Sequence, residues 1–394
     1  MSKAVYIATS EPESGKSIIA LGLMRMLLGK TKKVGYFRPV IDDFPENKKD
    51  NHIDTVLSHF ELDMKYEDCF AITGSEVIDK KSNGKEGEIV DIIIGKYKDL
   101  EDKFDFILVE GTDFSGEGVF VELDINVLIA KNLGIPTIIV GSGKNKTVDE
   151  LVSNLHLAYE SFVEKDVKVL AVIANKVDAD KVKMIEEAIE KALSNEVLVN
   201  VIPMIETLNN PTIKEIVDEM DIQVLLGQEH INNQVGNFSV GAMQLRNFLR
   251  TLNENNLVIT PGDRADIILG ALQANISDNY PKISGIILTG GITPEEPILK
   301  LIEGLNEIVP LLSIKYGTFE TANKIGAIRS NIYANNKNRI YTSLSTFERY
   351  INVDALSNKF NAFESDKITP RMFQYNLVKR AQKIKKTNRF TGRK

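Results

Sequence analysis

The sequence predicts an α/β protein: a doubly wound, mostly parallel sheet of the phosphate-loop type, followed by a smaller α/β domain. Two observations support this prediction. The chain opens with an apolar strand, a short loop, Gly15-Lys16-Ser17 and then an apolar-periodic helix. Further apolar strands then alternate with amphipathic helices at intervals of about 30–40 residues, which is typical of parallel sheets.

The first strand is predicted over residues 4–8 and the first helix over residues 18–28. Backbone N–H groups at the start of a helix attract a phosphate group, and a lysine adds positive charge. Ser17 is expected to hold a Mg²⁺ ion against that phosphate. The candidate phosphate-binding residues are Thr9, Ser10, Glu13, Ser14, Gly15, Lys16 and Ser17.

The loop departs from the usual pattern at one position. Standard spacing requires a glycine at position 10, where the chain has Ser10. Since that glycine is expected to adopt a positive φ, a Cβ there predicts weak nucleotide binding. The alternative is a loop that keeps its shape for packing and binds no phosphate.

The next two strands end in charged residues. Residues 33–39 end at Arg38-Pro39, and residues 104–111 include Glu110 near their end. Ligands gather at the carboxyl ends of strands in open α/β sheets, so Arg38 is predicted to reach a phosphate, or else to be a solvated arginine in a turn. Glu110 is the expected second partner of Mg²⁺, or an acid that caps a loop.

Strands predicted over 136–141 and 167–174 flank a helix over 148–164. The second of them runs into Asn175-Lys176-Val177-Asp178, which matches a pattern that recognises guanine in many nucleotide hydrolases. Asn175 is therefore a candidate base-binding residue, and the alternative is a turn at the end of a strand. Pro203-Met204 closes the last strand of this domain.

A second, smaller α/β unit begins near Asp221. Its strands are predicted over 257–261, 283–289 and 310–314, with a helix over 265–274, while the amide-rich residues 232–246 are not expected to form one long helix. Asp263 and Arg264 follow one strand and Gly290-Gly291 the next. They frame either a pocket for a small anion or nucleotide, or two tight turns with a local ion pair.

The last part of the chain carries weaker signals. Residues 347–363 are predicted to form one or two short helices. Residues 379–394 hold eight lysines or arginines and no acid, without apolar periodicity. That composition predicts disorder.

Composition limits the function classes. The net charge of −7 argues against nucleic-acid binding by the whole chain, and no apolar run is long enough to span a bilayer. One cysteine, Cys69, excludes an internal disulfide framework, and the four histidines show no metal-ligand spacing. These features predict a cytoplasmic protein.

Three stretches together resemble the N-terminal half of long-form bacterial phosphate acetyltransferases. Residues 9–17 look like the phosphate loop of that family, which is itself similar to that of dethiobiotin synthetase. Residues 261–264 with 288–291 look like its DRTGG domain, although the namesake motif is not intact. Residues 368–375 are similar to the segment that leads into the acetyltransferase domain. The resemblance runs to about residue 385.

The resemblance implies a dethiobiotin-synthetase-like domain over 1–220, a DRTGG-like domain over 221–345, and a linker with the start of the transferase domain over 346–394. It also implies ATP or another nucleotide with Mg²⁺ as ligand, a nucleotide or metabolite effector, and a homo-oligomer. Acetyl-CoA belongs to the full-length family, and no catalytic residue can be carried over. Either the gene product is truncated or another chain supplies the missing half.

The expected role is therefore a regulatory and assembly portion that does not itself transfer acetyl groups. Two alternatives stay open: a stand-alone phosphate-loop ATPase or ATP-dependent ligase resembling dethiobiotin synthetase, and a nucleotide-sensing binding protein. A ligase of that kind is expected to have a lysine at the end of the second strand. The chain has Arg38 there, and arginine keeps its charge too firmly to act as a base.

Overall fold

The computed structural model describes residues 3–45, 48–112, 119–305, 308–328, 332–362 and 368–391. The chain forms two compact units: Met1–Met204 with Ile332–Lys394, and Ile205–Asn331. Among the described residues, no helix has both the length and the apolar character needed to cross a membrane.

The first unit is built around seven strands and the helices that connect them. The strands are β1 (Lys3–Thr9), β2 (Val34–Ile41), β3 (Phe70–Thr73), β4 (Phe106–Glu110), β5 (Thr137–Ser142), β6 (Val169–Val177) and β7 (Leu198–Pro203). The helices are α1 (Lys16–Leu28), α2 (Asn51–Phe60), α3 (Gly74–Ser82), α4 (Glu86–Glu101), α5 (Val119–Leu133), α6 (Val148–Val163) and α7 (Val182–Ala192).

The second unit is smaller. Its helices are α8 (Glu206–Asn209), α9 (Ile213–Glu219), α10 (Leu245–Phe248), α11 (Ala265–Ile276), α12 (Glu296–Glu303) and α13 (Thr318–Ala327). Its strands are β8 (Gln223–Leu226), β9 (Asn237–Val240), β10 (Asn256–Pro261), β11 (Ile283–Thr289) and β12 (Leu311–Ser313). The chain then returns to the first unit as α14 (Lys337–Tyr350), α15 (Val353–Ala362) and α16 (Pro370–Thr391).

Every strand pairing of the first sheet is parallel, in the order β3-β2-β4-β1-β5-β6-β7. The chain builds one side of β1 up to β4 and then the other side from β5 onward. The C-terminal end of β1 is therefore the point where the winding direction reverses, and ligands bind at such points in open α/β sheets. The loop that contains Gly15 begins there.

The second sheet has the order β8-β12-β11-β10-β9, in which β8 is antiparallel to β12 and the other pairs are parallel. The predicted fold class, a mostly parallel phosphate-loop sheet followed by a smaller α/β domain, is thus confirmed. Residues 232–246 contain β9 and α10 rather than one helix, as expected.

The sequence missed the short strands β3, β8 and β9, each of four residues. Such lengths are too short to show a clear period-two pattern. The predicted disorder from residue 379 is wrong for the described part, because α16 continues to Thr391. Lysine, arginine and glutamine are good helix formers. Residues 363 and 392–394 of the predicted segments lie outside the described residues.

The returning segment packs closely on the first unit. A Cβ built on Gly22 of α1 would lie 2.0 Å from Cγ of Phe347, so glycine lets the buried Phe347 ring of α14 lie directly against α1. On α16, the guanidinium of Arg371 donates to both carboxylate oxygens of Asp91, each at 2.9 Å. These contacts make the segment part of this unit.

The single cysteine lies in the interior of the first unit, immediately before β3. Cys69 is fully buried, and burial, followed by the nearby Asp68 carboxylate, raises the pKa of its thiol to about 12. We predict that the folded chain does not react with a thiol reagent at mildly alkaline pH and that urea exposes the thiol.

The same shift predicts a stability effect. The unfolded thiol ionises near pH 8.5, whereas the folded one stays neutral until about pH 12. Its contribution to folding is therefore complete below about pH 8.5 and is lost as the pH rises toward 12. Urea unfolding midpoints at neutral and alkaline pH measure this loss. Cys69→Ala is the control, and an equal loss in that variant would contradict the assignment.

Candidate functional site

The loop between β1 and α1 turns sharply before the helix begins. Gly15 has φ 81° and caps α1, and Glu13 has φ 59°. A Cβ at Gly15 would also lie 2.3 Å from Nδ2 of Asn175. Glycine is therefore required at position 15 for its conformation and for the space.

Ser10 does not carry the strain that the sequence predicted. In the described chain, Glu13 and Gly15 are the loop residues with positive φ, whereas Ser10 continues β1 and its N–H donates to the Val140 carbonyl at 3.0 Å. The expected backbone cost at position 10 is therefore wrong, because the chain turns later. The buried hydroxyls of Ser10 and Ser14 have no hydrogen-bond partner among the described residues.

Asn175 lies beneath the loop and supports it. Its Nδ2 donates to the Ser14 carbonyl at 2.8 Å, and its Oδ1 accepts from the Lys176 N–H at 2.9 Å. Lys176 Nζ donates to the Glu13 carbonyl at 2.7 Å. The side chain of Asn175 is almost fully buried. The structure thus uses the Asn-Lys pair to hold the loop backbone in its turn.

Lys16 connects the loop to the end of β4. Its side chain is buried, and Nζ donates to the Gly111 carbonyl at 2.5 Å while lying 3.9 Å from Oε1 of Glu110. The lysine that would meet a phosphate is therefore held by a neighbouring strand end. A ligand anion has to draw the ammonium away from these two oxygens.

Glu110 is fully buried, and each of its oxygens has a close neighbour. The Tyr36 hydroxyl donates to Oε2 at 2.6 Å, and Nδ1 of His52 lies 2.6 Å from Oε1. Burial alone would raise the pKa of Glu110. The nearby His52, Arg38 and Lys16 outweigh burial and hold that pKa well below its ordinary value.

Tyr36 stays a hydrogen-bond donor at any ordinary pH. Its hydroxyl lies on β2, next to β4, and the side chain is fully buried. Burial, and then the Glu110 carboxylate, raises the pKa of Tyr36 well above its ordinary value. The carboxylate therefore keeps one oxygen bound to β2.

Arg38 forms a buried ion pair. Its Nη1 donates to both carboxylate oxygens of Asp50, at 2.9 and 2.7 Å, and both side chains are almost fully buried. Asp50 in turn caps α2 by accepting from the Ile53 N–H at 3.0 Å. The sequence predicted that Arg38 reaches a phosphate or lies in a solvated turn. In the structure it holds the start of α2.

His52 is the site residue that the sequence analysis missed. Its Nδ1 lies 3.4 Å from Oγ of Ser17 as well as 2.6 Å from Oε1 of Glu110, so one nitrogen faces both predicted metal ligands. The sequence gives only a weak indication of this role. Asp50 is a typical helix-capping residue, and His52 lies in the first turn of the helix that follows it. Hydrophobic periodicity shows where the helix lies in the sequence, but not which strand its first turn contacts in the fold.

A small, partly open pocket adjoins this cluster. Apolar side chains of α1 and α2 form part of its wall, while Ser17, His52 and Glu110 supply its polar groups. The carbonyl of Ile332 accepts from Nδ2 of Asn51 at 2.9 Å and from Oγ1 of Thr55 at 3.0 Å. The returning segment therefore anchors α2 beside the pocket.

The structure brings together in the first unit the predicted residues of β1 and the loop after it, and of β2, β4 and β6, although Arg38 lies inside β2 and not at its predicted end. They are Thr9, Ser10, Glu13, Ser14, Gly15, Lys16, Ser17, Arg38, Glu110 and Asn175. Among the residues that the structure describes, no three acidic, histidine or cysteine side chains form a group able to hold a metal ion.

The remaining two predicted residues, Asp263 and Arg264, lie in the second unit. The Arg264 guanidinium donates to the Met243 carbonyl at 2.9 Å and to both oxygens of Asp266, at 2.8 and 2.9 Å, while Asp263 is exposed. Gly290 and Gly291 both have positive φ, of 80° and 65°. Arg264 therefore closes the turn that follows β9.

Two family models match the chain. Residues 3–212 match a family described as an AAA domain, and residues 215–328 match the DRTGG domain. The first match covers more than half of the chain.

Curated relatives agree with these matches. The chain is 37% identical over 390 residues to a phosphate acetyltransferase of Nitratidesulfovibrio vulgaris, and 37% identical over 383 residues to one of Synechocystis sp.. Each alignment covers 97% of this chain and 55% of the relative. The chain thus spans about half the length of the curated relatives that it matches.

Solved structures also align with part of the chain. A ParA family ATPase from Chlorobium tepidum TLS aligns at 15% identity and a TM-score of 0.33, covering 53% of this chain and 87% of that one. The chain belongs to the AAA-domain family whose model it matches, carries a DRTGG domain after it, and corresponds to the N-terminal half of the phosphate acetyltransferases that it resembles.

Proposed function

We propose that these 394 residues form the nucleotide-responsive regulatory and assembly portion of a phosphate acetyltransferase, the enzyme that joins acetyl groups from acetyl-CoA to phosphate. The first unit takes a nucleoside triphosphate, weakly, at the loop that precedes α1. The second unit transmits or adds to that signal. The chain works in the cytoplasm, in keeping with its single cysteine.

One observation carries the proposal of nucleotide binding. Gly15, Lys16 and Ser17 stand at the N-terminus of a thirteen-residue helix, at the point where the sheet reverses its winding. Backbone N–H groups at such a helix start are free to bind an anion. The buried hydroxyls of Ser10 and Ser14, which find no hydrogen-bond partner in the described part of the chain, add polar groups to the same loop.

Weak binding follows from the present partners of Lys16. Its ammonium is already bound to the Gly111 carbonyl and lies near Glu110. A phosphate gains the lysine only by replacing these contacts, so the net gain is smaller than for a free lysine. We therefore attribute the weak binding to the present contacts of Lys16 and not to backbone strain at Ser10.

The alternative function, that of an ATP-dependent ligase similar to dethiobiotin synthetase, is not favoured. It needs a cation at the end of β2 that is open to substrate, whereas Arg38 is buried in its ion pair with Asp50. Removing Arg38 from that pair would leave a buried carboxylate uncompensated. A regulatory function is therefore favoured over ligase chemistry.

Calorimetric titration with ATP tests the first unit. We predict a dissociation constant weaker than about 1 µM for the whole chain. Lys16→Met, which keeps the aliphatic stem and removes the charge, is expected to abolish measurable binding. Lys300→Met is the matched control, because that lysine is exposed on α12. Equal binding by Lys16→Met and the unchanged chain would remove the loop from the proposal.

An acetyl-transfer assay tests the regulatory role. We predict that the purified 394 residues release no coenzyme A from acetyl-CoA and phosphate above background. The basis is that the chain matches the first half of its relatives and that its family matches over 3–212 and 215–328 are the AAA and DRTGG domains. Turnover that scales with protein concentration would make this chain an enzyme in its own right.

Self-association is the proposed assembly role. The second sheet ends in two edge strands, β8 and β9, and Phe319 on α13 is 81% exposed in this unit. Open strand edges and exposed aromatic rings are typical of contacts in symmetric oligomers.

We predict that light scattering finds an oligomer of the whole chain and that Phe319→Glu shifts it toward monomer. The control is Leu157→Glu, on a residue of the first unit that is 63% exposed. A monomer at every concentration, with or without the substitution, would assign assembly to the rest of the enzyme.

A further inference from the structure

The position that a phosphate-loop fold normally gives to Mg²⁺ is defined here by Ser17 and Glu110. Magnesium requires oxygen ligands at about 2.0–2.1 Å in an octahedral arrangement. Magnesium also keeps several waters in proteins, so the hydroxyl of Ser17 would have to face the ion directly and an oxygen of Glu110 would have to face it directly or through one water. The structure allows a test of whether they do.

They do not fit the ion as they stand. The Nδ1 atom of His52 lies 2.6 Å from Oε1 of Glu110 and 3.4 Å from Oγ of Ser17, so an imidazole ring occupies the space that both ligands face. The other oxygen of Glu110 accepts the Tyr36 hydroxyl at 2.6 Å. Neither carboxylate oxygen is therefore open to an ion without a rearrangement.

The ring is held in this place by the start of α2. Asp50 caps the helix and is fixed by two hydrogen bonds from Arg38 and by its own N–H, which donates to the Tyr66 hydroxyl at 2.7 Å. Asn51, the next residue, and Thr55, about one turn further on, donate to the Ile332 carbonyl. The helix cannot easily move His52 out of the cluster while these contacts persist.

Charge points in the same direction. The Glu110 carboxylate, which would be the protein's negative charge for the ion, already has the Lys16 ammonium 3.9 Å away, and the nearby Arg38 is paired with Asp50. A divalent cation would add two further positive charges to this group. An anionic ligand beside Lys16 would instead offset them.

We propose that His52 takes the place of the divalent cation, so that this site binds its phosphate ligand as the metal-free anion. The imidazole joins Ser17 of the loop helix to Glu110 of β4, which is the connection that magnesium makes elsewhere. His52 is thus a specificity-determining residue that selects free nucleotide over its magnesium complex. This inference depends on the proposed nucleotide binding at Lys16.

The test compares ATP binding to the whole chain in excess EDTA and in excess Mg²⁺, by calorimetry. The unchanged chain is expected to bind ATP in EDTA at least as tightly as in Mg²⁺. His52→Ala opens the space between Ser17 and Glu110, and we expect that variant to bind about tenfold more tightly in Mg²⁺ than in EDTA. His52→Asn, which keeps a polar side chain, serves as a second variant.

The matched control is His156→Ala, since His156 is half-exposed on α6 and is expected to behave as the unchanged chain. Circular dichroism checks that each variant is folded, and the comparison of buffers on the unchanged chain needs no variant. Binding that requires Mg²⁺ in the unchanged chain would overturn this inference alone. Absence of ATP binding in both buffers would overturn the proposed function as well. Identical buffer dependence in His52→Ala and the unchanged chain would remove His52 from the account.

Discussion

The buried carboxylate of Glu110 is the constraint on which the candidate site depends. A charge with no exposure to solvent persists only when surrounding groups stabilise it. Here the groups come from three parts of the chain: Tyr36 on β2, Lys16 on α1 and His52 on α2. Glu110 therefore decides where the loop helix, the second strand and α2 meet, and the low pKa of its carboxyl shows that these groups outweigh its burial.

A second ion pair, Arg38 with Asp50, makes this arrangement specific. It links the first turn of α2 directly to β2 and so helps to place His52 beside Glu110. The carboxylate of Asp50 accepts hydrogen bonds from Arg38 on both oxygens, and it also accepts the Ile53 N–H that caps α2. The cost of burying both charges is offset by these added hydrogen bonds, and the gain is position rather than net stability.

The sequence predicted the architecture well because long apolar strands and periodic helices report burial directly. The sequence also predicted that Gly15 and Lys16 lie at the start of a helix and Glu110 at the end of a strand, because the ends of these elements follow from the neighbouring residues in the sequence. It failed where the answer depends on tertiary distances. The turn lies at Glu13 rather than at Ser10, and Arg38 pairs with Asp50 twelve residues on. His52 shows nothing in its local pattern that indicates its contact with Glu110 on a strand 58 residues away.

The cluster is also connected to the point where the chain returns from the second unit. Ile332, the first residue of the returning segment, accepts hydrogen bonds from Asn51 and Thr55, on either side of His52. Any ligand that moves His52 together with α2 strains these two bonds, whereas one that leaves His52 in place does not. A ligand shifts a conformational equilibrium only through such a difference in contacts between states. A ligand that displaced His52 together with α2 would therefore also disturb the contacts of Ile332.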